Sequence, residues 1–173
     1  GPFNYALLNN RAAAIAQGGI LLLLNNDTEP CARWLEELLT PFERWPKTGI
    51  TGAQLVFPNG RLQESGGLVW DNGQPWNYGR GGNPYDPRVS YSRQVDYVSA
   101  ACLAIPLELW QAIGGFSTEF APAYFEDTDL AFAVRARQQE VRCAPLARVI
   151  HHEGTTCGID TGNPESSKRL QLV

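Results

Sequence analysis

The chain has 173 residues, a net charge of −4, and 43% hydrophobic against 18% charged residues. That length supports one domain able to bury roughly two thirds of its unfolded surface without disulfide or metal staples. The composition excludes a disordered, collagenous, coiled-coil or disulfide-miniprotein chain, and the absence of a Lys/Arg run excludes a nucleic-acid partner, which needs a basic face against phosphate.

Asn4 to Gln17 is rich in Ala and Leu and ends at Gly18-Gly19, which predicts a helix with a glycine C-cap. Ile20 to Leu24 is an apolar run between Gly19 and Asn25-Asn26-Asp27. It predicts a strand buried on both faces, as in a parallel sheet, and is far short of the ~20 residues that span a bilayer. Thr28 as N-cap and Pro30 in the first turn predict a second helix, with Leu35, Leu38, Leu39 and Phe42 as its apolar stripe and Pro46 as its stop. Ile50 to Phe57 predicts a strand, and Pro58-Asn59-Gly60 a turn into Arg61 to Trp70, together a hairpin. Residues 71–94 hold four Gly and three Pro and predict a long surface loop.

Tyr97 to Ile105 predicts a strand of small and apolar residues, and Pro106 to Ile113 a short helix closed by Gly114-Gly115. Asp127 to Gln139 predicts a helix whose acidic first turn suits the helix dipole. Val141 to Ile150 is a further extended segment ending at His151-His152-Glu153, and residues 154–173 form a polar, loose tail after a domain over 1–153. No segment reads as a signal peptide or an internal repeat. A chain that starts with Gly and contains no Met reads as a piece of a longer protein. Cys31, Cys102, Cys143 and Cys157 lack CxxC spacing, so they read as small hydrophobes in a reducing compartment, with Cys157 in a Gly/Thr loop. Helices alternating with strands, with one hairpin inserted, give an α/β layered domain on a mainly parallel or mixed sheet.

Three constellations carry chemistry. Asn25-Asn26-Asp27 follows a strand, where open α/β sheets bind ligands, and its carboxylate suits a hard divalent cation as well as it suits an Asx turn. Glu126, Asp127 and Asp129 crowd one helix start between aromatics. That is more acid than a dipole needs, and crowded carboxylates raise one another's pKa toward the range of a general base. His151 and His152 are the two histidines of the chain and end a predicted strand. If His151 meets Asp27 in space, imidazole plus carboxylate suits Mn²⁺ or a similar ion. Trp34 and Trp45 read as packing residues. Trp70, Trp76, Tyr78, Tyr85 and Tyr91 surround the long loop and either stack on sugar rings or pin the loop. Gly79-Arg80-Gly81-Gly82 lacks the spacing of a phosphate loop.

These segments in this order resemble the GT-A glycosyltransferases of family 2. The stretches that carry the resemblance are Phe3 to Arg11, Leu22 to Thr28, Gly114-Gly115-Phe116 with Phe125 to Leu130, and Arg148 to Gly154. The resemblance implies a GT-A fold lacking its first nucleotide-binding βα units, and a sheet edge left open by that absence. It implies that Asn25-Asn26-Asp27 is a variant DxD motif with Asp27 as metal ligand, that His151 is the second ligand, and that Mg²⁺ or Mn²⁺ is the cofactor. Asp127 becomes the catalytic base with Glu126 beside it, and Asn4 and Asn9 approach the nucleotide. Tyr97 to Leu103, Ser99 and Ala100 included, floors the donor sugar site, with Asp129 and Trp76 as further substrate contacts. The implied reaction moves a sugar, with inversion, from a nucleotide-diphospho-sugar to a saccharide or lipid-linked saccharide acceptor. The implied setting is bacterial cell-surface polysaccharide synthesis in the cytoplasm, with peripheral membrane association through the full-length protein and self-association through the exposed sheet edge. A catalytically silent carbohydrate- or nucleotide-binding module is the alternative, and a nucleotidyltransferase would want an Arg/Lys-bearing phosphate loop.

Overall fold

The computed structural model describes residues 3–153; the tail expected over 154–173, and Cys157 with it, lies outside the described residues. Asn4 caps helix α1 (Tyr5–Ala13), its side-chain oxygen accepting the Leu7 N–H at 2.8 Å. The helix stops short of Gln17. Ala6 and Ala13 are its buried residues while Ile15 is 81% exposed, so no apolar face holds a further turn in place.

Strand β1 (Ile20–Leu24) pairs antiparallel with β8 (Cys102–Pro106) and forms the sheet edge among the described residues, not the parallel strand expected. Nor is it buried on both faces as expected: Leu23 is its one buried residue, and Ile20 and Leu24 at its ends are exposed, so an apolar run fixes neither strand direction nor full burial. Thr28–Pro30 is a short strand, β2, rather than a helix start. The Thr28 hydroxyl donates to the Asn25 carbonyl at 2.6 Å, closing a turn instead of capping a helix. β2 then pairs antiparallel with the end of β9 (Glu140–His151), which sets Thr28 opposite His151. Helix α2 (Trp34–Arg44) begins after Arg33, whose φ of 61° is left-handed, and it holds Pro41 within it and ends before Pro46. Leu38 is fully buried, with Trp34, Leu39 and Phe42 around it, whereas Leu35 is exposed.

Strand β3 (Thr48–Val56) is buried along its length at the sheet centre. It runs parallel to β9 and antiparallel to β8 and to β4 (Leu62–Glu64). The strand order is β1-β8-β3-β9-β2, with β4 beside β3 and β7 (Arg93–Gln94) beside β9. The sheet is mixed, its parallel component lying along the β3–β9 ladder. Alternation along β8 sends Leu103 and Ile105 to one face and Cys102 and Ala104 to the other. The first face packs against α1, α3 (Leu107–Ile113) and α4 (Glu126–Ala136), and the second against α2. Cys102 and Cys143 are buried hydrophobes, as expected, and Cys31 is half-buried. No helix among the described residues is long and apolar enough to cross a membrane.

The expected hairpin strand 61–70 breaks in two. β4 returns along β3, while β5 (Gly67–Val69) turns away to pair with β6 (Pro75–Asn77) as a separate hairpin. Residues 71–94 are therefore not one loop. They hold β6, a 3-10 turn at Pro87–Val89, and β7. The buried Gln54 amide ties them down, donating to the Pro84 and Val89 carbonyls at 3.2 Å each, and the Ser65 hydroxyl donates to the Val89 carbonyl at 3.0 Å. The β5–β6 hairpin depends on close approach at Gly67, where an added Cβ would lie 2.0 Å from the Tyr97 ring. Gly67→Ala is expected to cost about 1–3 kcal/mol or more through this overpacking, read as a lower midpoint in denaturant at an unchanged m-value.

Candidate active site

Where β1 and β9 end and α4 begins, the chain encloses a cavity of about 570 Å³, in the range of small-molecule sites. Its lining includes Asn25, Asn26 and Asp27 after β1, His151 at the end of β9, Ser99 to Ala101 before β8, and Glu126 and Asp127 at the start of α4. Asn9 and Tyr5 of α1, Glu64 of β4, and Pro75 and Asn77 of β6 complete the walls named here. The three residues most distant in sequence, Asp27, Asp127 and His151, thus share one cavity. Among the other expected contacts, Asn4 is spent as the α1 cap, and Trp76 and Asp129 are not lining residues. Strand alternation explains Trp76: Pro75 and Asn77 face inward, so the indole between them faces out, edge-on to Tyr78.

The β2–β9 ladder brings Asp27 to His151. The Asp27 carbonyl accepts the His152 N–H at 2.9 Å, and the Asp27 Oδ1 lies 3.3 Å from His151 Nε2. The His151 Nδ1 contacts the Gln63 side-chain oxygen at 3.1 Å, an acceptor, so Nδ1 carries the proton and Nε2 the lone pair. Burial holds the His151 pKa below the usual histidine range, which favours that neutral ring. Among the described residues the buried Asp27 Oδ1 has no hydrogen-bond donor. Two electron-pair donors therefore face one another, an arrangement that fits a divalent cation. Among the described residues no three His, Cys, Asp or Glu side chains gather closely enough to hold an ion alone. An ion here would take its remaining ligands from a bound anion or water. His152 points elsewhere, its Nε2 lying 2.6 Å from Glu29.

The acidic pair is held by strained backbone. Tyr124 and Phe125 both adopt left-handed φ, 85° and 74°, a conformation that costs non-glycine residues energy and aims the first turn of α4 inward. Burial raises the Asp127 pKa, while hydrogen bonds from the Ala100 N–H (3.2 Å) and the Thr128 N–H (2.7 Å) oppose the rise. Glu126 is pushed up to about 7 by burial and by the Asp127 charge, and among the described residues its buried Oε2 lacks a hydrogen-bond partner. The Asn25 side-chain oxygen accepts the Tyr5 hydroxyl at 3.0 Å, and its N–H donates to the Ala101 carbonyl. Asn9 lines the cavity with its amide donating to the Tyr5 carbonyl at 2.9 Å.

Tyr5, Pro75 and Asn77 line the cavity without having been expected to, and Glu64 is the buried acidic lining residue that sequence reading misses. It is 2% exposed, and burial lifts its pKa to about 8. Gln63-Glu64-Ser65 carries no motif, and its place beside a turn reads as solvated hairpin. Both glutamates bind protons more tightly folded than unfolded, so stability falls as pH rises from the ordinary carboxylate range to about 7 for Glu126 and about 8 for Glu64. His151 acts in the opposite sense, its contribution being lost as pH drops through the histidine range. Because two glutamates outweigh one histidine, unfolding temperature is expected to decline from ~pH 5 to ~8, and Glu64→Gln is expected to flatten the upper part of that decline.

No family model matches the chain. A Sinorhizobium fredii protein named y4gI is 34% identical over 175 residues, covering 98% of this chain and 19% of its own length. The Myxococcus xanthus O-antigen biosynthesis protein RfbC is 35% identical over 162 residues, covering 90% of this chain and 12% of its own. The Mycobacterium tuberculosis N-acetylglucosaminyl-diphospho-decaprenol L-rhamnosyltransferase is 25% identical over 155 residues, 81% of this chain and 49% of its own. The chain thus spans less than a fifth of the first two relatives and about half of the third. Among solved structures, that of GalNAc-T7 with UDP, GalNAc and Mn²⁺ superposes on 96% of this chain and 34% of its own, with a TM-score of 0.69 at 14% identity, which shows a shared fold.

Proposed function

We propose, for a chain that belongs to the GT-A glycosyltransferases of family 2, that its cavity moves a sugar from a nucleotide-diphospho-sugar to an acceptor hydroxyl, inverting the anomeric centre. The single observation that supports this reading is the meeting of Asp27, Asp127 and His151 around one cavity. The names of the relatives support bacterial O-antigen or cell-wall polysaccharide synthesis, and that of the mycobacterial relative supports a lipid-linked saccharide acceptor. Such an acceptor places the work at the cytoplasmic face of a membrane.

Asp27 Oδ1 and His151 Nε2 would hold the ion. A divalent cation, Mg²⁺ or Mn²⁺, supplies charge neutralisation at a diphosphate leaving group when bound. Asp127 takes the proton from the acceptor hydroxyl, its carboxylate oriented by the Ala100 and Thr128 N–H groups. Glu126, pushed up to about 7 by burial and by the Asp127 charge, takes up a proton before Asp127 does, so the first proton to enter the pair leaves Asp127 ionised. The Ser99–Ala101 backbone beneath them makes the floor on which the transferred sugar rests.

The test is incubation of the full-length protein with UDP-, GDP- and dTDP-sugars and Mn²⁺, with nucleoside diphosphate release measured. Metal-dependent release from at least one donor is the expected result. Binding of a donor without release, with or without oligosaccharide acceptors, would instead make this a silent binding module.

A further inference from the structure

Glu64 sits in the cavity wall, and among the described residues no ion pair repays the burial of its carboxyl. Among the described residues its one hydrogen bond comes from the Ser99 N–H, at 3.0 Å to Oε1. The next amide along, that of Ala100, donates to Asp127. Two consecutive backbone N–H groups therefore anchor two buried carboxyls from different elements, β4 and α4, on one stretch of cavity floor. Beside Glu64 on the lining stand Asn77 and Tyr97, whose hydroxyl donates to the Asn77 side-chain oxygen at 2.7 Å. Ser65 and Gln63, its chain neighbours, are already used: Ser65 bonds Val89, and Gln63 orients His151. A buried carboxyl with unspent hydrogen-bonding capacity, lining a largely apolar cavity, is costly to keep unless a ligand completes it.

We propose that Glu64 is a specificity-determining residue that hydrogen-bonds a hydroxyl of the transferred sugar, next to the Asp127 side of the floor. The inference rests on the transferase reading above and adds the group that distinguishes one donor sugar from another. A carboxyl raised toward neutrality by burial both donates and accepts, as a sugar hydroxyl does. A pocket built to bond a hydroxyl rejects an analogue that lacks it, because its own polar group is then left unpaired.

The experiment compares, in the full-length protein with Mn²⁺, the affinities for UDP-, GDP- and dTDP-hexoses and for each bare nucleoside diphosphate. Glu64→Leu is expected to weaken the sugar nucleotide roughly 10- to 100-fold, the loss of one hydrogen bond to an ionisable group, while leaving the nucleoside diphosphate unchanged. Glu64→Gln, which keeps the shape and an acceptor for Ser99, is expected to restore part of that loss. A purely structural Glu64 would move both ligands together or neither. Donor analogues deoxygenated at single positions give a second reading on the unmodified protein, where one analogue is expected to match the loss in Glu64→Leu. Unchanged sugar-nucleotide affinity in Glu64→Leu, or equal tolerance of every deoxy analogue, overturns the proposal while leaving the transferase reading intact. An unmodified protein that binds no sugar nucleotide overturns the transferase reading, and this proposal with it.

Discussion

Asp127→Asn in the full-length protein is expected to lower sugar transfer about 10²- to 10⁴-fold, the usual contribution of a positioned general base, with nucleotide binding preserved. The amide still fits the buried site, but its single oxygen can accept from only one of the Ala100 and Thr128 N–H groups, so a modest loss of stability accompanies the loss of the base. What is lost is the proton acceptor. The substitution also removes the charge that raises Glu126 from the side of Asp127. Glu126 should then titrate lower, and the acid limb that the ionisation of Asp127 imposes on turnover should be absent from the residual activity. Initial rates across pH, at saturating donor, check both parts. Turnover equal to that of the unmodified protein would remove Asp127 from the chemistry.

Asp27→Ala and His151→Ala are each expected to remove most metal-dependent turnover. In the proposed function Asp27 Oδ1 and His151 Nε2, 3.3 Å apart, share the ion, and loss of either leaves a single ligand. Gln63→Leu acts one step further out. Without its side-chain oxygen the His151 ring loses the partner that sets its tautomer, and such outer partners typically tune metal affinity by ~10–100-fold. The ordering matters: the two ligand variants should fail at any Mn²⁺ concentration reached, whereas Gln63→Leu should recover at high Mn²⁺. Titration of activity with Mn²⁺ separates the two behaviours. If Gln63→Leu matched the unmodified protein at low Mn²⁺, the ring would not depend on that contact.

That Asp27, His151 and the Glu126-Asp127 pair line one cavity was legible in the sequence because these polar residues stand where apolar elements end or a helix begins. Asp27 closes the Ile20–Leu24 run, His151 closes the Val141–Ile150 run, and Glu126-Asp127 opens a helix. The means by which they meet was not legible. Thr28-Glu29-Pro30 has cap chemistry, yet it forms the short strand that registers Asp27 against His151. That pairing depends on a segment more than a hundred residues away, which local propensity does not see. The direction of β1 was hidden for the same reason, since its partner β8 follows some eighty residues later. Glu64 shows a second limit. Its burial comes from Ser99 and the cavity walls, while its own neighbourhood reads as a solvated turn. Trp76 shows a third: aromatic character points to a sugar, but strand parity decides which face a side chain takes, and parity puts Asn77 inward instead.

The thermal unfolding of the full-length protein with Mn²⁺ and nucleoside diphosphate, singly and together, probes the shared cavity most directly. Ligands that bind only the folded state raise its midpoint by mass action. The midpoint is predicted to rise strongly with both present and little with either alone, and Asp27→Ala and His151→Ala are each predicted to abolish the joint rise. A joint rise that persists in both variants would mean that the ion and diphosphate bind elsewhere, and would contradict the account.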